Sequence, residues 1–435
     1  MVGNSYIPRI VDDLIEDYLA VFPAVSVEGP KWCGKTTTAM QHARSLFSLA
    51  DPTGNFRNRT LAQMEPALAL EGDEPRLIDE WQEVPNLWDT VRFTCDQNAS
   101  KGRFILTGSA TPRKASRPMH SGAGRIARVQ MSSMTLLEQG VSSGKVSLRG
   151  LFAGESYAAT SLLDIDKLAL QIVRGGWPEA LDLDARHASM TARSYLDAIA
   201  DDDISEVDDV NRDPTRVRRL LASLGRNEAS LASKATLLKD MADYGVSDPE
   251  GKGRSRPSTL AETTLNEYLG ALGRMRFVED IPAWRPALRS PVRIRSARKR
   301  HLADPSLAAA AIGATVESLR TDPKTLGFLF ESLVAHDLRV YAQAMDAEVM
   351  HYRDDTNLEV DLIVEARDGA WGAFEVKLGD AQIEDGAANV NRLERKMVER
   401  GQRPAAVKAV IVGTGAVAHR RSDGVQIIPL DTLGV

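Results

Sequence analysis

The sequence predicts an α/β protein in three parts: a parallel-sheet domain over 1–150, a helical middle region over 151–325, and a small α/β domain over 326–435. Three observations carry this. A glycine-rich loop, Gly29-Pro30-Lys31-Trp32-Cys33-Gly34-Lys35-Thr36, joins an apolar run to the start of a helix. From there to about residue 137, short β-branched runs alternate with helical segments, as the strands and crossovers of a parallel sheet do. After Gly327 a long helical stretch gives way to new β-rich runs.

Composition sets the outer limits. A chain of 435 residues is longer than one hydrophobic core sustains, so several domains are expected. With 43% hydrophobic and 26% charged residues, wholesale disorder is excluded. The net charge of −6 argues against a surface coated in base, though not against a local basic patch. No apolar run reaches the roughly 18–20 residues that cross a bilayer, and residues 1–9 lack the apolar core of a signal peptide. Cys33 and Cys95 are too few for a disulfide framework or a cysteine zinc site. The expectation is a reduced, soluble, cytoplasmic protein without a membrane partner.

Taken in order, residues 1–20 read as a helix with apolar Ile10, Leu14 and Leu19 and an acidic face at Asp12, Asp13, Glu16 and Asp17. The run 24–27 is the strand that feeds the glycine-rich loop, and a helix opens at Thr36-Thr37. The clearest further strand cores are 76–78 and 104–106, with a Gly- and Ser-rich stretch at 140–150 as a boundary. Residues 152–325 are mainly helical, including 228–244 and 259–274, interrupted by a hydrophilic loop at 247–257 and a Pro/Arg-rich stretch at 282–300. In the last part, strands are expected at 358–365, 373–378, 407–412 and 425–429 around a polar helix.

The loop fits G-x-x-x-x-G-K-T in full and sits between strand and helix, where a phosphate cradle must be. Gly29, Pro30, Lys31, Trp32, Cys33, Gly34 and Lys35, with Thr36 and Thr37, form the cradle, in which the glycines let backbone N–H groups turn inward to a polyphosphate and the helix N-terminus adds its positive dipole. Lys35 is placed to reach the β- and γ-phosphates, and the Thr36 hydroxyl to join Mg²⁺. The strand 76–78 ends in Asp79-Glu80: Asp79 would hold Mg²⁺ through water and Glu80 would polarise an attacking water. The strand 104–106 ends in Thr107-Gly108-Ser109, where Ser109 is either a γ-phosphate sensor or a polar strand end.

The order of these motifs, with the phrases Asp79-Glu80-Trp81-Gln82 and Leu106-Thr107-Gly108-Ser109, resembles a group of prokaryotic AAA-type P-loop ATPases. The likeness extends over nearly the whole chain. It implies ATP with Mg²⁺ as cofactors, a P-loop NTPase domain, a helical and winged-helix middle, and a restriction-endonuclease-like C-terminal domain. In that group a Gly-Arg precedes a strand, here Gly124-Arg125 before 126–130. By that likeness Arg125 is an arginine finger acting in a neighbouring subunit of a homo-oligomer, with Arg128 as its competitor. An ordinary surface arginine is the alternative. Arg174-Gly175-Gly176-Trp177-Pro178-Glu179 resembles the group's Gly-Gly-x-Pro turn, which places Arg174 near nucleotide or makes the motif a structural turn.

The helix order in the middle region resembles a winged helix. Between Asp280 and Asp304 there is no acid but a run of Arg285, Arg289, Arg293, Arg295, Arg298, Lys299 and Arg300. That asymmetry suits the phosphates of DNA or RNA; the alternative is a basic strand pair packed on the acidic run 201–209. Near the C-terminus, strand alternation puts Glu375 and Lys377 on one face beside a strand carrying Asp361. This resembles the PD-(D/E)xK nuclease signature, with Glu331 on the preceding helix as its extra acid. The likeness implies a second Mg²⁺ or Mn²⁺ held by Asp361, Glu375 and Glu331, with Lys377 acting on water. A cross-strand salt bridge without catalysis is the alternative. The expected function is Mg²⁺-dependent ATP binding and hydrolysis coupled to nucleic acid. The other readings are a nucleotide-gated regulator with an inactive C-terminal domain, or a metal-dependent DNA nuclease regulated by ATP.

Overall fold

The apolar runs at 24–27, 76–78 and 104–106 become neighbouring strands of one sheet. The structure, a computed structural model, describes residues 6–109, 122–208, 210–243, 260–285, 297–415 and 417–435. Strands β1 (Ala24–Glu28), β2 (Ser45–Ser48), β3 (Arg76–Asp79), β4 (Phe104–Gly108) and β5 (Ile126–Gln130) lie in the order β2-β3-β4-β1-β5, and every pair is parallel. Strands β1, β3 and β4 are buried along their whole length, which is why they read as continuous apolar runs rather than alternating ones.

Helix α1 (Val11–Val21) packs on β1 and β5, while α2 (Lys35–His42), α3 (Thr53–Met64) and α4 (Asn86–Gln97) connect the strands. The expected acidic face of the first helix is partly internal. Asp12 lies 2.9 Å from His42 and accepts a hydrogen bond from the Arg9 amide at 2.7 Å. Under the sheet Trp81 and Trp88 stack at 4.9 Å beside buried Leu87, Val91 and Phe104.

By compactness the chain divides into two units rather than three. The first is Met1–Ser133 with Asp203–Asn211 and Gly270–Phe277; the second is Met134–Asp202, Arg212–Leu269 and Val278–Val435. The division falls ahead of the Gly/Ser-rich stretch at 140–150, and the reason is hydrogen bonding. Strand β6 (Val146–Ser147) pairs in parallel with β14 (Leu433–Gly434), and β7 (Ala159–Thr160) pairs with β12 (Val417–Arg420). The Ser142 hydroxyl donates to the Leu433 carbonyl at 2.6 Å. This stretch is therefore an edge of the C-terminal architecture and not a linker.

The second unit carries a seven-stranded mixed sheet in the order β7-β12-β13-β11-β10-β9-β8, built from β8 (Ala347–Arg353), β9 (Glu359–Ala366), β10 (Trp371–Lys377), β11 (Val407–Val412) and β13 (Gln426–Pro429) with β7 and β12. Helices α14 (Pro323–Ala344) and α15 (Ile383–Glu399) pack on it, α15 over a core that includes Trp284, Tyr352 and Trp371. Before these come α5 (Leu148–Phe152), α6 (Ile165–Arg174) and α7 (Ala185–Ala198); α7 runs through a π-turn into α8 (Ile204–Glu206). Then follow α9 (Pro214–Arg226), α10 (Lys234–Asp243), α11 (Glu262–Arg274), α12 (Pro305–Ala311) and α13 (Val316–Thr321).

The Gly175-Gly176-Trp177 turn closes on this helical region. A Cβ at Gly176 would lie 2.0 Å from the Met134 carbonyl oxygen, so only glycine fits. The Gly176 amide donates to Asp304 at 2.9 Å and the Trp177 indole donates to Ser306 at 3.0 Å. Arg174 donates to the Leu181 carbonyl at 2.9 Å and to Gln171 at 2.6 Å, contacts that hold the turn.

Glu228 is buried between α9 and α10, accepting from the Leu302 amide at 3.1 Å and the Ser332 hydroxyl at 2.6 Å. Burial pushes its carboxyl from 4.5 up to about 7, against the pull of these hydrogen bonds. Between those two values the folded chain keeps a proton that the unfolded chain has released, so stability falls as pH rises through that window. Glu228→Gln is expected to lose this fall, shifting the stability gap in the variant's favour by about 3 kcal/mol across the window. Denaturant melts at the two ends of it check this; parallel profiles for wild type and variant would mean that Glu228 titrates alike in both states.

Candidate nucleotide site

Parallel pairing brings the C-terminal ends of the strands to one edge. The register sets Ser48 beside Asp79, and Asp79 beside Thr107. The loop leaving β1 closes over this edge. A Cβ at Gly29 would lie 2.1 Å from the Met131 carbonyl oxygen, and Gly34 sits at φ 97°, so both positions require glycine. Cys33 is buried beneath the loop, and the Cys33 carbonyl accepts from the Arg9 guanidinium at 2.9 Å. Trp32 holds a left-handed φ of 67° and is half-exposed, and the Lys31 ammonium pairs with Asp203 at 2.7 Å.

Gly34 precedes the first turn of α2 and no side chain caps it, so the helix begins with amide groups available to an anion. Lys35 is only 5% exposed, and its Nζ turns back to donate to the Pro30 carbonyl at 2.7 Å. No carboxylate among the described residues pairs with it. A buried, unneutralised ammonium inside a ring of peptide groups fits the phosphates of a nucleotide.

Beside it, the Thr36 hydroxyl donates to Asp79 Oδ1 at 2.7 Å. Thr107 donates to the same oxygen at 2.7 Å, and Ser48 donates to Oδ2 at 3.2 Å. A hydroxyl and a carboxylate already in contact make a hard oxygen pair of the kind Mg²⁺ takes. Glu80 follows in the left-handed region at φ 57°, and its carboxylate accepts from the Gln82 amide and, at 3.3 Å, from the Ser109 hydroxyl. Ser109 thus touches the candidate base, Glu80.

Glu28, at the mouth of the loop, was not among the expected site residues. Arg276 forms an ion pair with it, and Arg128 lies 3.2 Å away while stacking over the Trp88 ring. Nothing in the linear sequence signals a contact between residues 28 and 276. Arg125 is placed differently: it precedes β5, at the opposite edge of the sheet from the loop, and its half-exposed guanidinium donates to Asp96 at 2.7 Å.

The C-terminal residues also converge. Antiparallel pairing of β9 and β10 puts Asp361 near Glu375 and Lys377, and the Val376 amide donates to Asp361 at 2.9 Å. Lys377 Nζ lies 2.5 Å from Glu375 and 3.5 Å from Asp361. Glu331, on α14, pairs with Lys299, which also lies 3.6 Å from Asp361. Burial and the Asp361 charge push Glu331 up to about 8 and raise Glu375 as well. Burial acts the same way on Asp361, but Lys299 and Lys377 outweigh it and hold that carboxyl low. Among the described residues no group of three or more His, Cys, Asp or Glu has the arrangement of a metal site.

The basic run divides. Lys299 is buried and Arg300 pairs with Asp280, so neither offers its charge to solvent, while Arg298 is exposed and Arg285 half-buried. Arg289, Arg293 and Arg295 lie outside the described residues. Of the acidic run, Asp201 pairs with Arg218 at 2.7 Å and Asp208 with Arg274 at 2.5 Å.

Comparison with known proteins bears most directly on the first unit. The family described as an AAA domain matches residues 21–139. Two families described as domains of unknown function, DUF8612 and DUF4143, match residues 165–318 and 326–433. Over 423 residues the chain is 28% identical to the uncharacterized protein Rv2008c of Mycobacterium tuberculosis, spanning 94% of this chain and 81% of that protein. The uncharacterized protein Mb2031c of Mycobacterium bovis matches to the same extent. Solved structures of Thermotoga maritima RuvB variants cover 67% of this chain and 90% of theirs at 15–16% identity, with TM-scores of 0.27–0.28. Residues 21–139 are thus similar to an AAA domain and carry its parallel sheet and glycine-rich loop, and no described helix is long and apolar enough to cross a membrane.

Proposed function

We propose that the chain is a Mg²⁺-dependent ATPase that couples ATP binding and hydrolysis to the engagement of DNA or RNA. The single observation that carries the ATPase reading is the Thr36–Asp79 contact beside the buried, unneutralised Lys35. Thr36 and Asp79 are the residues that would hold Mg²⁺, which when bound neutralises charge on the β- and γ-phosphates. Lys35 and the loop amides bind the phosphates, and Glu80, held by Gln82 and Ser109, orients water and takes its proton. Arg125, directed away from its own loop, is suited to a second copy's site, which would make the working form a homo-oligomer. Support for nucleic acid comes from Arg285 and Arg298, and from the order of α10 and α11 before the bridged pairs Val278↔Leu302 and Ile281↔Lys299, a helix–helix–wing sequence.

The test is steady-state ATP turnover with and without single- and double-stranded DNA. Stimulation of severalfold is expected, weakened by salt and by Arg298→Glu while the basal rate is kept. Turnover indifferent to DNA and RNA would overturn the coupling. The bridging of Asp361 and Glu375 by Lys377 favours a second reading, a nucleotide-gated regulator with an inactive C-terminal domain. Tight nucleotide binding with negligible turnover would select it.

A further inference from the structure

Three acids in one pocket, Glu331, Asp361 and Glu375, need a counter-charge, and a divalent metal is the usual one. Here the chain supplies its own. Lys299 Nζ pairs with Glu331 and lies 3.6 Å from Asp361, and the side chain is 2% exposed. Lys377 serves the other side, between Asp361 and Glu375. Lys299 belongs neither to β9 or β10 nor to α14, which carry the acids. It comes from a separate segment pinned by paired backbone bonds to Ile281 at 2.9 Å in both directions.

The same segment is fixed on its far side as well. The Trp284 amide donates to the His351 carbonyl at 2.6 Å, the His351 amide donates to Pro282 at 3.0 Å, and the His351 ring lies 3.0 Å from the Ala297 carbonyl. The ammonium is therefore delivered by a braced backbone rather than by a loose side chain. Mg²⁺ keeps several waters of its own, whereas here the buried Lys299 already stands against Glu331 and Asp361, the acids that would hold such an ion. A second cation at such a distance would also meet strong repulsion from the ammonium.

We propose that Lys299 is a tethered cation that takes the place of a divalent metal, and that removing it turns the pocket into a Mn²⁺- or Mg²⁺-binding site. The expected metal-bound form of this domain thus does not fit the residues as they stand, because a fifth residue occupies the position. A tethered charge also outcompetes a free ion through its effective concentration.

The experiment is Mn²⁺ titration of the nucleotide-free full chain, followed by the paramagnetic resonance signal of free Mn²⁺. Wild type is expected to show no saturable site that depends on Asp361. Lys299→Met is expected to gain one site, at least about tenfold tighter than anything in wild type, and to lose it when Asp361→Asn is added. Mn²⁺ should also raise the Tm of Lys299→Met but not that of wild type. A saturable wild-type site abolished by Asp361→Asn would overturn the proposal, and so would a folded Lys299→Met that binds no tighter than wild type. If Lys299→Met does not fold, the wild-type titration decides alone.

Discussion

Lys35→Ala is expected to lose tight ATP binding while keeping its fold. In the structure Lys35 donates to one carbonyl, that of Pro30, and pairs with no described carboxylate. Truncation therefore breaks no ion pair on which folding depends. In the proposed nucleotide complex the same ammonium would meet the β- and γ-phosphates. Removing one partner of a buried, hydrogen-bonded charge pair costs about 2–5 kcal/mol, roughly thirty- to several-thousand-fold in Kd. Calorimetric titration with Mg²⁺-ATP reads the affinity, and a thermal melt reads the fold. An unchanged Kd would remove the phosphate-cradle assignment.

Glu80→Gln is expected to separate binding from chemistry. The carboxylate is held by Gln82 and Ser109, next to Asp79 but not bonded to it, so its loss leaves the Thr36–Asp79 pair and the loop in place. ATP affinity should stay within a few-fold of wild type, while hydrolysis falls by about 10²–10⁴ with the loss of the general base. Single-turnover hydrolysis with pre-bound ATP separates the two effects. Wild-type turnover in this variant would place the base on another residue.

Both predictions rest on residues legible in the sequence, and the reason is local. Gly29 to Thr36 form one loop, and Asp79-Glu80 and Thr107-Gly108-Ser109 each end a strand buried on both sides. What was not legible came from elsewhere in the chain. Strand β2, Ser45–Ser48, has a single fully buried residue and no β-branched side chain, so neither run nor alternation marks it. Yet it supplies Ser48 to Asp79. Strands β6 and β7 are two residues long and exist only because distant strands pair with them. A lysine in a basic run looks the same in sequence whether it faces phosphate or, like Lys299, a buried glutamate. Arg276 meets Glu28 through tertiary structure alone.

The pairing of residues 142–160 with C-terminal strands, β6 with β14 and β7 with β12, has a consequence for biosynthesis. Ser142 hydrogen-bonds to Leu433, 291 residues later, so this edge of the second unit is synthesised long before its partner exists. At the usual pace of a ribosome the wait is roughly 15–60 s. During that time β6 has no strand to pair with and β7 waits almost as long for β12, whereas β1 to β5 all lie within residues 24–130. The two sheets thus mature on different clocks. The first sheet is completed by strands near one another in the chain, while β6 and β7 wait for β14 and β12, long-range pairings of the kind that fold slowly.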